Sequence, residues 1–239
     1  MKTNTYPILE QLETRRLMSA TLVDGVLKIV GTPGNDRISV CVSPDDPKHI
    51  RLYVEAHSLN DFVAFKVSAV KRVEMYGLAG NDGLNVMNDE DHLFPVAVFI
   101  KGGRGDDNLG GASHDDTLYG GDGNDIVGGA GGNDRVYGQA GDDTLVGNEG
   151  DDVIIGGDGN DHASDDSGNN TIKGGAGNDG VLGGDGNDRI YGGAGDDYVG
   201  GYDGSDFVFG GLGADHFLLG DDPAERKDFS AEDTAEDFK

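Results

Sequence analysis

Single apolar residues recur every nine positions through the second half of the chain, beginning at Leu109 and ending at Phe217. Each of them follows a polar stretch rich in Gly and Asp. Because successive side chains of a strand point to opposite faces, one apolar residue per short strand marks one buried face. The spacing therefore predicts three-residue strands with a single inward side chain, joined by six-residue turns.

This spacing comes from a sequence repeat. From Gly102, thirteen consecutive blocks of nine residues follow one another without an insertion. The fourth position is Gly in twelve blocks, with His114 as the exception, and the sixth is Asp in twelve, with Asn170 as the exception. The eighth position is Leu, Val, Ile or Phe in twelve blocks, and Ala163 is the exception. Three positions in one register over 117 residues predict a repeat architecture.

The predicted fold class is all-β, a parallel β-roll (β-helix or solenoid). Two blocks, or 18 residues, form one coil, and alternate strands lie in two parallel sheets whose eighth-position side chains face each other in a thin core. One sheet contributes Leu109, Val127, Leu145, Ala163, Val181, Val199 and Phe217. The other contributes Leu118, Val136, Ile154, Ile172, Ile190 and Val208.

The part before the repeats predicts a β-rich N-terminal cap. Alternating apolar residues predict strands at 50–55 and 62–70, and an apolar run predicts a buried strand at 93–100. Two isolated copies of the nonapeptide occur at 31–39 and 77–85, and neither has another copy 18 residues away. The predicted divisions of the chain are a leader or sorting segment at 1–20, the cap at 21–101, the repeat roll at 102–218 and an acidic tail at 219–239.

Charge and glycine content are concentrated in the repeats. The chain has 43 Gly and 45 acidic against 18 basic residues, for a net charge of −27, and residues 102–218 carry 24 acidic and 4 basic residues. Such a negatively charged chain would repel nucleic acid. The sequence has no run of about 18 apolar residues, so no membrane-spanning helix is predicted. Composition alone would predict disorder, so the repeat register is what predicts order.

The sixth-position aspartates predict metal binding. In successive coils they stack one layer apart, where their charges repel unless a cation lies between them. Ca²⁺ takes six to eight oxygens from carboxylates and backbone carbonyls, whereas Mg²⁺ prefers a small octahedron and keeps its waters. The predicted carboxylate ligands are Asp107, Asp116, Asp125, Asp134, Asp143, Asp152, Asp161, Asp179, Asp188, Asp197, Asp206 and Asp215. The predicted glycine ligands are Gly102, Gly105, Gly120, Gly123, Gly138, Gly141, Gly156, Gly159, Gly174, Gly177, Gly183, Gly186, Gly192 and Gly195.

Sites between all stacked turns would number eleven in the roll. Asn170 contributes to two of them and brings a neutral oxygen, so these two sites are expected to be the weakest. Asp36 and Asp82 occupy the ligand position of the isolated copies and are further candidates for calcium.

The blocks match the pattern GGxGxDxUx, in which U is a large apolar residue. The chain therefore resembles RTX (repeats-in-toxin, or haemolysin-type calcium-binding) proteins. The resemblance implies a right-handed parallel β-roll, calcium in the turns and secretion into a calcium-rich medium. The departures are His114, Asp165, Asp166 and Asn170. Residues 12–20 also resemble the LEPR-x-LL motif of exported bacterial surface proteins, with Thr14 in place of Pro and Met18 in place of Leu.

The predicted function is that of a non-catalytic, secreted or cell-surface calcium-binding protein whose repeats fold on binding Ca²⁺. It would act as a structural or surface-interaction module, and the candidate partners are a cell surface or a polysaccharide. Neither a zinc-protease motif nor a nucleophile elbow occurs in the sequence. Two alternatives stay open: a secreted hydrolase or polysaccharide-modifying enzyme with its site in residues 21–101, and an accessory module of a larger adhesin.

Overall fold

The computed structural model describes residues 4–6, 19–43, 46–54, 62–87, 94–219, 226–228 and 234–237. Strands make up nearly all of the regular structure in these ranges, with one short 3-10 turn at Val67–Ala69. The predicted all-β class is confirmed.

The strands are short and follow one another at close intervals. In chain order they are β1 (Asn4–Tyr6), β2 (Ser19–Val23), β3 (Val26–Val30), β4 (Arg37–Ser43), β5 (Asp46–Val54), β6 (Phe62–Lys66), β7 (Arg72–Ala79), β8 (Gly83–Met87), β9 (Val98–Arg104), β10 (Asn108–Gly110), β11 (Thr117–Asp122), β12 (Ile126–Gly131), β13 (Arg135–Ala140), β14 (Thr144–Glu149), β15 (Val153–Asp158), β16 (His162–Ser164), β17 (Thr171–Ala176), β18 (Gly180–Leu182), β19 (Arg189–Ala194), β20 (Tyr198–Gly200), β21 (Phe207–Leu212), β22 (His216–Leu219), β23 (Arg226–Asp228) and β24 (Thr234–Asp237).

Consecutive repeat strands alternate between two sheets. The first sheet has the order β1-β2-β3-β7-β9-β11-β13-β15-β17-β19-β21-β23, and the second has the order β24-β22-β20-β18-β16-β14-β12-β10-β8-β4-β5-β6. Within the repeats every pairing is parallel and joins residues 18 apart, as in Leu118 with Val136 and Leu109 with Val127. The predicted coil of two blocks is confirmed, and the molecule is a parallel β-solenoid.

Each repeat strand contributes one buried side chain to the core between the two sheets. All thirteen predicted eighth-position residues are at most 2 % exposed, including the small Ala163. The core continues into the N-terminal part through Ile38, Leu84 and Met75, which are fully buried. One apolar layer thus runs through both the cap and the repeats.

The strands before the repeats lie in the same two sheets. β7 pairs in parallel with β9, and β8 pairs in parallel with β10. The strand expected at 93–100 is shorter than predicted: it begins at Val98, because Pro95 cannot donate a hydrogen bond to a sheet ladder, although Phe94 is buried in the core. The strand expected at 62–70 ends at Lys66 and gives way to the 3-10 turn.

The isolated nonapeptides have stacked neighbours, although none lies 18 residues away in the sequence. β4, which ends the first copy, pairs in parallel with β8 of the second, and β8 pairs with β10 of the repeats. Between the copies, the described strands β5 and β6 extend the second sheet beyond β4 as antiparallel strands. The repeat spacing of 18 did not reveal this stacking, because Asp36 and Asp82 are 46 residues apart and Asp82 and Asp107 are 25 residues apart.

Past the last repeat, β23 pairs with β21 and β24 pairs with β22, both in parallel. The described part of the chain holds no helix long and apolar enough to cross a membrane. Residues 12–18 of the LEPR-like segment fall outside the described residues, as do His57 and His92.

Candidate metal sites

Sixth-position aspartates of successive coils are joined by hydrogen bonds along each edge of the solenoid. The backbone N–H of Asp107 donates to Oδ1 of Asp125 at 2.8 Å, and Asp125 repeats this with Asp143 at 2.8 Å. Each carboxylate is therefore held over the preceding turn by one of its two oxygens. The predicted stacking of the aspartates one layer apart is what the structure shows.

The second carboxylate oxygen, Oδ2, is buried in most of these residues and receives no hydrogen bond. A buried carboxylate oxygen without a donor is unfavourable by several kcal/mol unless a cation or proton compensates it. The sixth-position residues in this state, within the repeats and the second isolated copy, are Asp82, Asp107, Asp125, Asp134, Asp143, Asp152, Asp161, Asp179, Asp188 and Asp197.

Each Oδ2 lies in a cradle formed with the first-position glycines. A Cβ placed on Gly102 would lie 2.8 Å from the carbonyl oxygen of Gly120 and closer still to Oδ2 of Asp107. Two oxygens of adjacent turns thus converge on the space left by a missing side chain, and both are acceptors. Along the same edge the arrangement recurs at Gly138, where the second oxygen is the Gly156 carbonyl.

The fourth-position glycines have another role. Gly123 has φ +129°, and a Cβ there would collide with the carbonyl oxygen of Gly105 one coil earlier. Only glycine adopts this conformation without strain at so close a backbone approach. The structure therefore places the predicted first-position glycines beside the carboxylates, and it stacks the predicted fourth-position glycines on one another in the turn.

Burial raises the carboxyl pKa values along both edges. Desolvation is the largest cause, and it raises the pKa of Asp107 to about 6, that of Asp125 to about 7 and that of Asp134 to about 8 from an ordinary value of 3.8. Neighbouring aspartates add to the rise, while the backbone N–H that reaches Oδ1 lowers it. Without a cation, burial therefore favours the protonated form of these carboxyl groups.

The donor set suits calcium. At most of the aspartate turns, carboxylate and backbone carbonyl oxygens border the gap, and oxygen ligands are those that a hard cation prefers. Among the described residues, no three His, Cys, Asp or Glu side chains cluster in a way that could hold a metal ion. A cation here would therefore depend on backbone oxygens as much as on side chains.

Two aspartates that begin the edges differ from the rest. Oδ2 of Asp116 accepts the backbone N–H of Ala112 at 2.6 Å, and Oδ2 of Asp36 accepts that of Thr32 at 2.5 Å. In each case the donor is the second-position residue of the same block. These two carboxylates are thus satisfied by the protein, unlike Asp82, whose Oδ2 has no donor.

Asn170 closes one gap without a cation. Its Nδ2 donates to the carbonyl oxygen of Gly183 at 3.3 Å, while its Oδ1 accepts the N–H of Asp152 at 2.9 Å. In the aspartate turns the equivalent pair consists of two facing oxygens. Here the amide supplies the proton that joins them, so the turns at Asn170 and Asp188 are held by a hydrogen bond.

Asp165 is a buried carboxylate that the sequence pattern did not assign as a ligand. It occupies a first position, where each of the other twelve blocks has Gly, and it is 6 % exposed. Its Oδ2 and that of Asp152 both border the space above Gly147. The register also implies first-position carbonyls that the predicted ligand set left out: Gly111, Gly129, Gly147, Gly201 and Gly210.

The family comparison agrees with the repeat register. A family model of four copies of the RTX calcium-binding nonapeptide repeat matches residues 99–127, 128–163, 155–190, 164–199 and 182–217. The repeat region of this chain belongs to the RTX family. No curated protein matches the chain. The resemblance seen in the nonapeptides is confirmed, and the RTX repeats account for the solenoid from β9 to β22.

Other chemically reactive residues lie apart from the RTX turns. Cys41 is a buried cysteine in β4. His49 contacts Asp46 at 2.7 Å within its own strand, and His162 points outward from β16. The described residues bring none of these side chains together with the aspartate edges.

Proposed function

We propose that this protein is an exported calcium-binding module whose RTX repeats become ordered when Ca²⁺ occupies the gaps between coils. It acts outside the cell as a structural or surface-interaction element, and the proposal assigns it no catalytic step. Calcium binding follows from the RTX repeats, whereas export, the folding switch and the surface role are the proposed parts.

One observation carries the proposal: buried Oδ2 atoms with no hydrogen-bond donor recur along both edges, and at most of them a carbonyl oxygen of the next turn borders the same space. Seven such gaps lie from Asp82 to Asp197 on the edge that begins at Asp36, and three lie on the other edge, at Asp134, Asp152 and Asp188. Ten sites are therefore expected, in place of the eleven that follow from counting turns. The difference arises from Asp116 and Asn170, which are satisfied by protein hydrogen bonds, and from the additional gap at Asp82.

Calcium would supply positive charge and a multi-oxygen ligand sphere where the protein provides only acceptors. The sixth-position aspartates and the first-position carbonyls would hold it. The apolar layer is only one side chain per strand, so burial alone offsets little of the chain entropy of a Gly-rich sequence. Binding and folding are therefore expected to be coupled.

Circular dichroism in the far ultraviolet, recorded during a calcium titration of the full chain, tests the proposal. We expect weak β signal in chelator and a cooperative gain that is complete at about 10⁻⁴–10⁻³ M Ca²⁺, the range of extracellular calcium modules. Mg²⁺ at the same concentrations is the control and should give little change. A β signal that is equally strong with and without calcium would contradict the folding switch.

A matched pair of variants separates site from general charge. Asp161→Asn removes a buried carboxylate charge whose Oδ2 has no donor, whereas Asp158→Asn removes an exposed one three residues earlier. Asp161→Asn should raise the calcium midpoint and lower the number of bound ions by one. Asp158→Asn should do neither. Equal effects of the two substitutions would mean that net charge, and not the gap, governs binding.

The surface-interaction role is supported by aromatic rings on the outer face of the first sheet. Phe207 and Phe209 are each 37 % exposed and lie 6.0 and 6.3 Å from Tyr191, measured between ring centroids. Exposed aromatic patches are typical of interaction sites, and such rings can pack against sugar faces. Retention of the calcium-loaded protein on immobilised polysaccharides should fall in the Phe207→Ser, Phe209→Ser double variant but not in Ile126→Ser, which changes an exposed apolar residue of the second sheet.

A further inference from the structure

The turn that begins at Asp165 differs from every other turn of the roll in two positions at once. Its sixth position is Asn170 instead of Asp, and its first position is Asp165 instead of Gly. The first change removes a carboxylate from the edge, and the second adds one. Their effects fall on different gaps, because Asn170 faces the Gly183 side of its turn and Asp165 faces the Gly147 side.

The Asp165 side chain is directed into the gap next to Gly147. Its residue is 6 % exposed, and its Oδ2 receives no hydrogen bond, while its Oδ1 accepts the N–H of Ser167 at 3.0 Å. The neighbouring Asp166 is exposed. The same short segment therefore holds one carboxylate directed into the solenoid and one directed into solvent.

In this gap a side-chain carboxylate takes the place of a backbone carbonyl. A Cβ on Gly147 would meet Oδ2 of Asp165 and Oδ2 of Asp152, whereas the equivalent Cβ on Gly156 would meet Oδ2 of Asp161 and the carbonyl oxygen of Gly174. Two carboxylate oxygens thus converge on one buried space. Asp152 is 1 % exposed, and its Oδ2 likewise has no donor.

Two facing buried carboxylates repel each other, and the structure offers no basic side chain to separate them within the described residues. Both carboxylates are buried, so water does not screen one from the other. Like charges at this depth need a counter-charge between them, and affinity for Ca²⁺ rises with the number of charged ligands in a site.

We propose that Asp152 and Asp165 form a calcium site of their own kind, the one gap of the described roll in which both turns contribute a carboxylate oxygen to the cradle. This inference rests on the proposed calcium binding of the repeats. Being doubly charged, the Asp152–Asp165 site binds Ca²⁺ more tightly than the other gaps and fills first in a titration. The turn of Asn170, which the repeat register predicts to form the weakest sites, forms the strongest site on its Asp152 side.

Hydrogen exchange with peptide-level mass spectrometry during a Ca²⁺ titration of the full chain tests this. In the wild type, peptides covering 147–170 should gain protection at a calcium concentration about tenfold lower than peptides covering 174–200. In Asp165→Asn that midpoint should move up by about tenfold or more. Asp166→Asn, with the same change of charge one residue away, should leave it in place.

Asp165→Gly provides a second test, because it restores the residue found at every other first position and so preserves the fold of the turn. It should give the 147–170 peptides the same calcium midpoint as the rest of the roll. If the wild-type chain gains protection with calcium but Asp165→Asn and Asp165→Gly both match Asp166→Asn, the special site is overturned while the proposed function stands. If no segment of the wild type responds to calcium, both fail.

Discussion

The backbone N–H of Asp82 donates a 2.8 Å hydrogen bond to Oδ1 of Asp107, although the two residues are 25 positions apart in the chain. The same bond joins aspartates 18 apart throughout the repeats, as in Asp107 with Asp125. The second isolated nonapeptide is therefore a full member of the aspartate edge. The hydrogen-bonded edge therefore passes from Asp82 into the repeats without a break.

Asp82 and Asp36 should respond differently to the same substitution. Oδ2 of Asp82 has no donor, whereas Oδ2 of Asp36 accepts the Thr32 N–H. We expect Asp82→Asn to lower the number of calcium ions bound per chain by one, as counted by equilibrium dialysis with atomic absorption. Asp36→Asn should leave the number unchanged and serves as the control of equal charge. Loss of an ion in Asp36→Asn alone would reverse the assignment.

The first-position glycines should be irreplaceable where they face a carboxylate. A Cβ on Gly120 would overlap Oδ2 of Asp125, whereas a Cβ on Gly128 would have no heavy atom within 4 Å, and neither residue has a positive φ. Gly120→Ala should therefore raise the calcium midpoint of folding severalfold and lose an ion. Gly128→Ala should be neutral or slightly stabilising, since Ala restricts the unfolded chain.

Circular dichroism against calcium concentration distinguishes these two variants directly. Similar midpoints for Gly120→Ala and Gly128→Ala would mean that the space above Gly120 is not part of a metal site. Gly120 lies in β11 and Gly128 in β12, which are consecutive strands of opposite sheets, so a general intolerance of the roll to alanine would appear in both variants.

Much of this fold could be predicted because the repeat fixes the register. One apolar residue per nine positions is enough to specify the coil of 18 residues, the two sheets and the inward side chains, since strand side chains alternate. The stacking of the isolated copies could not be predicted from spacing, because the intervening chain varies in length. Pairing of β4 with β8 depends on tertiary contacts that no local pattern encodes.

For the sites, too, the repeat predicts the ligand positions but not the exceptions. Twelve sixth-position aspartates follow from the register, but whether Oδ2 is satisfied depends on a backbone N–H nearby, as at Asp116 and Ala112. Asp165 looked like a simple departure from the pattern. Its role becomes apparent only when the coil places it opposite Asp152, which is 13 residues away and not at the repeat spacing.

Restoring the repeat residue at Asn170 should create a calcium site. Asn170→Asp replaces the amide that donates to the Gly183 carbonyl with a second acceptor, so the gap loses its hydrogen bond and gains a carboxylate. We expect one more bound ion per chain and a folding transition that depends more steeply on calcium. The control Asn169→Asp adds the same charge at an exposed neighbouring position and should not add an ion.

The pH dependence of stability should have opposite signs with and without calcium. In the metal-free roll, burial raises the pKa of Asp107 to about 6 and that of Asp134 to about 8, while the unfolded value is 3.8. The folded state then binds more protons than the unfolded state between these values, so stability is fully present below about pH 4 and declines as pH rises toward 8. With saturating calcium the aspartates are ionised in the folded state, and stability should instead fall as the solution is acidified through their unfolded pKa.

Urea unfolding at several pH values between 4 and 8, in chelator and in excess calcium, checks both signs. Asp134→Asn should flatten the metal-free slope, because it removes the group whose pKa is raised to about 8, whereas Asp158→Asn changes an exposed carboxylate and should not. If the metal-free protein shows no β structure at pH 7 but acquires it near pH 4, protons replace calcium as the neutralising charge. A metal-free stability that rises with pH would show that the buried carboxylates are compensated by protein groups and do not need a cation.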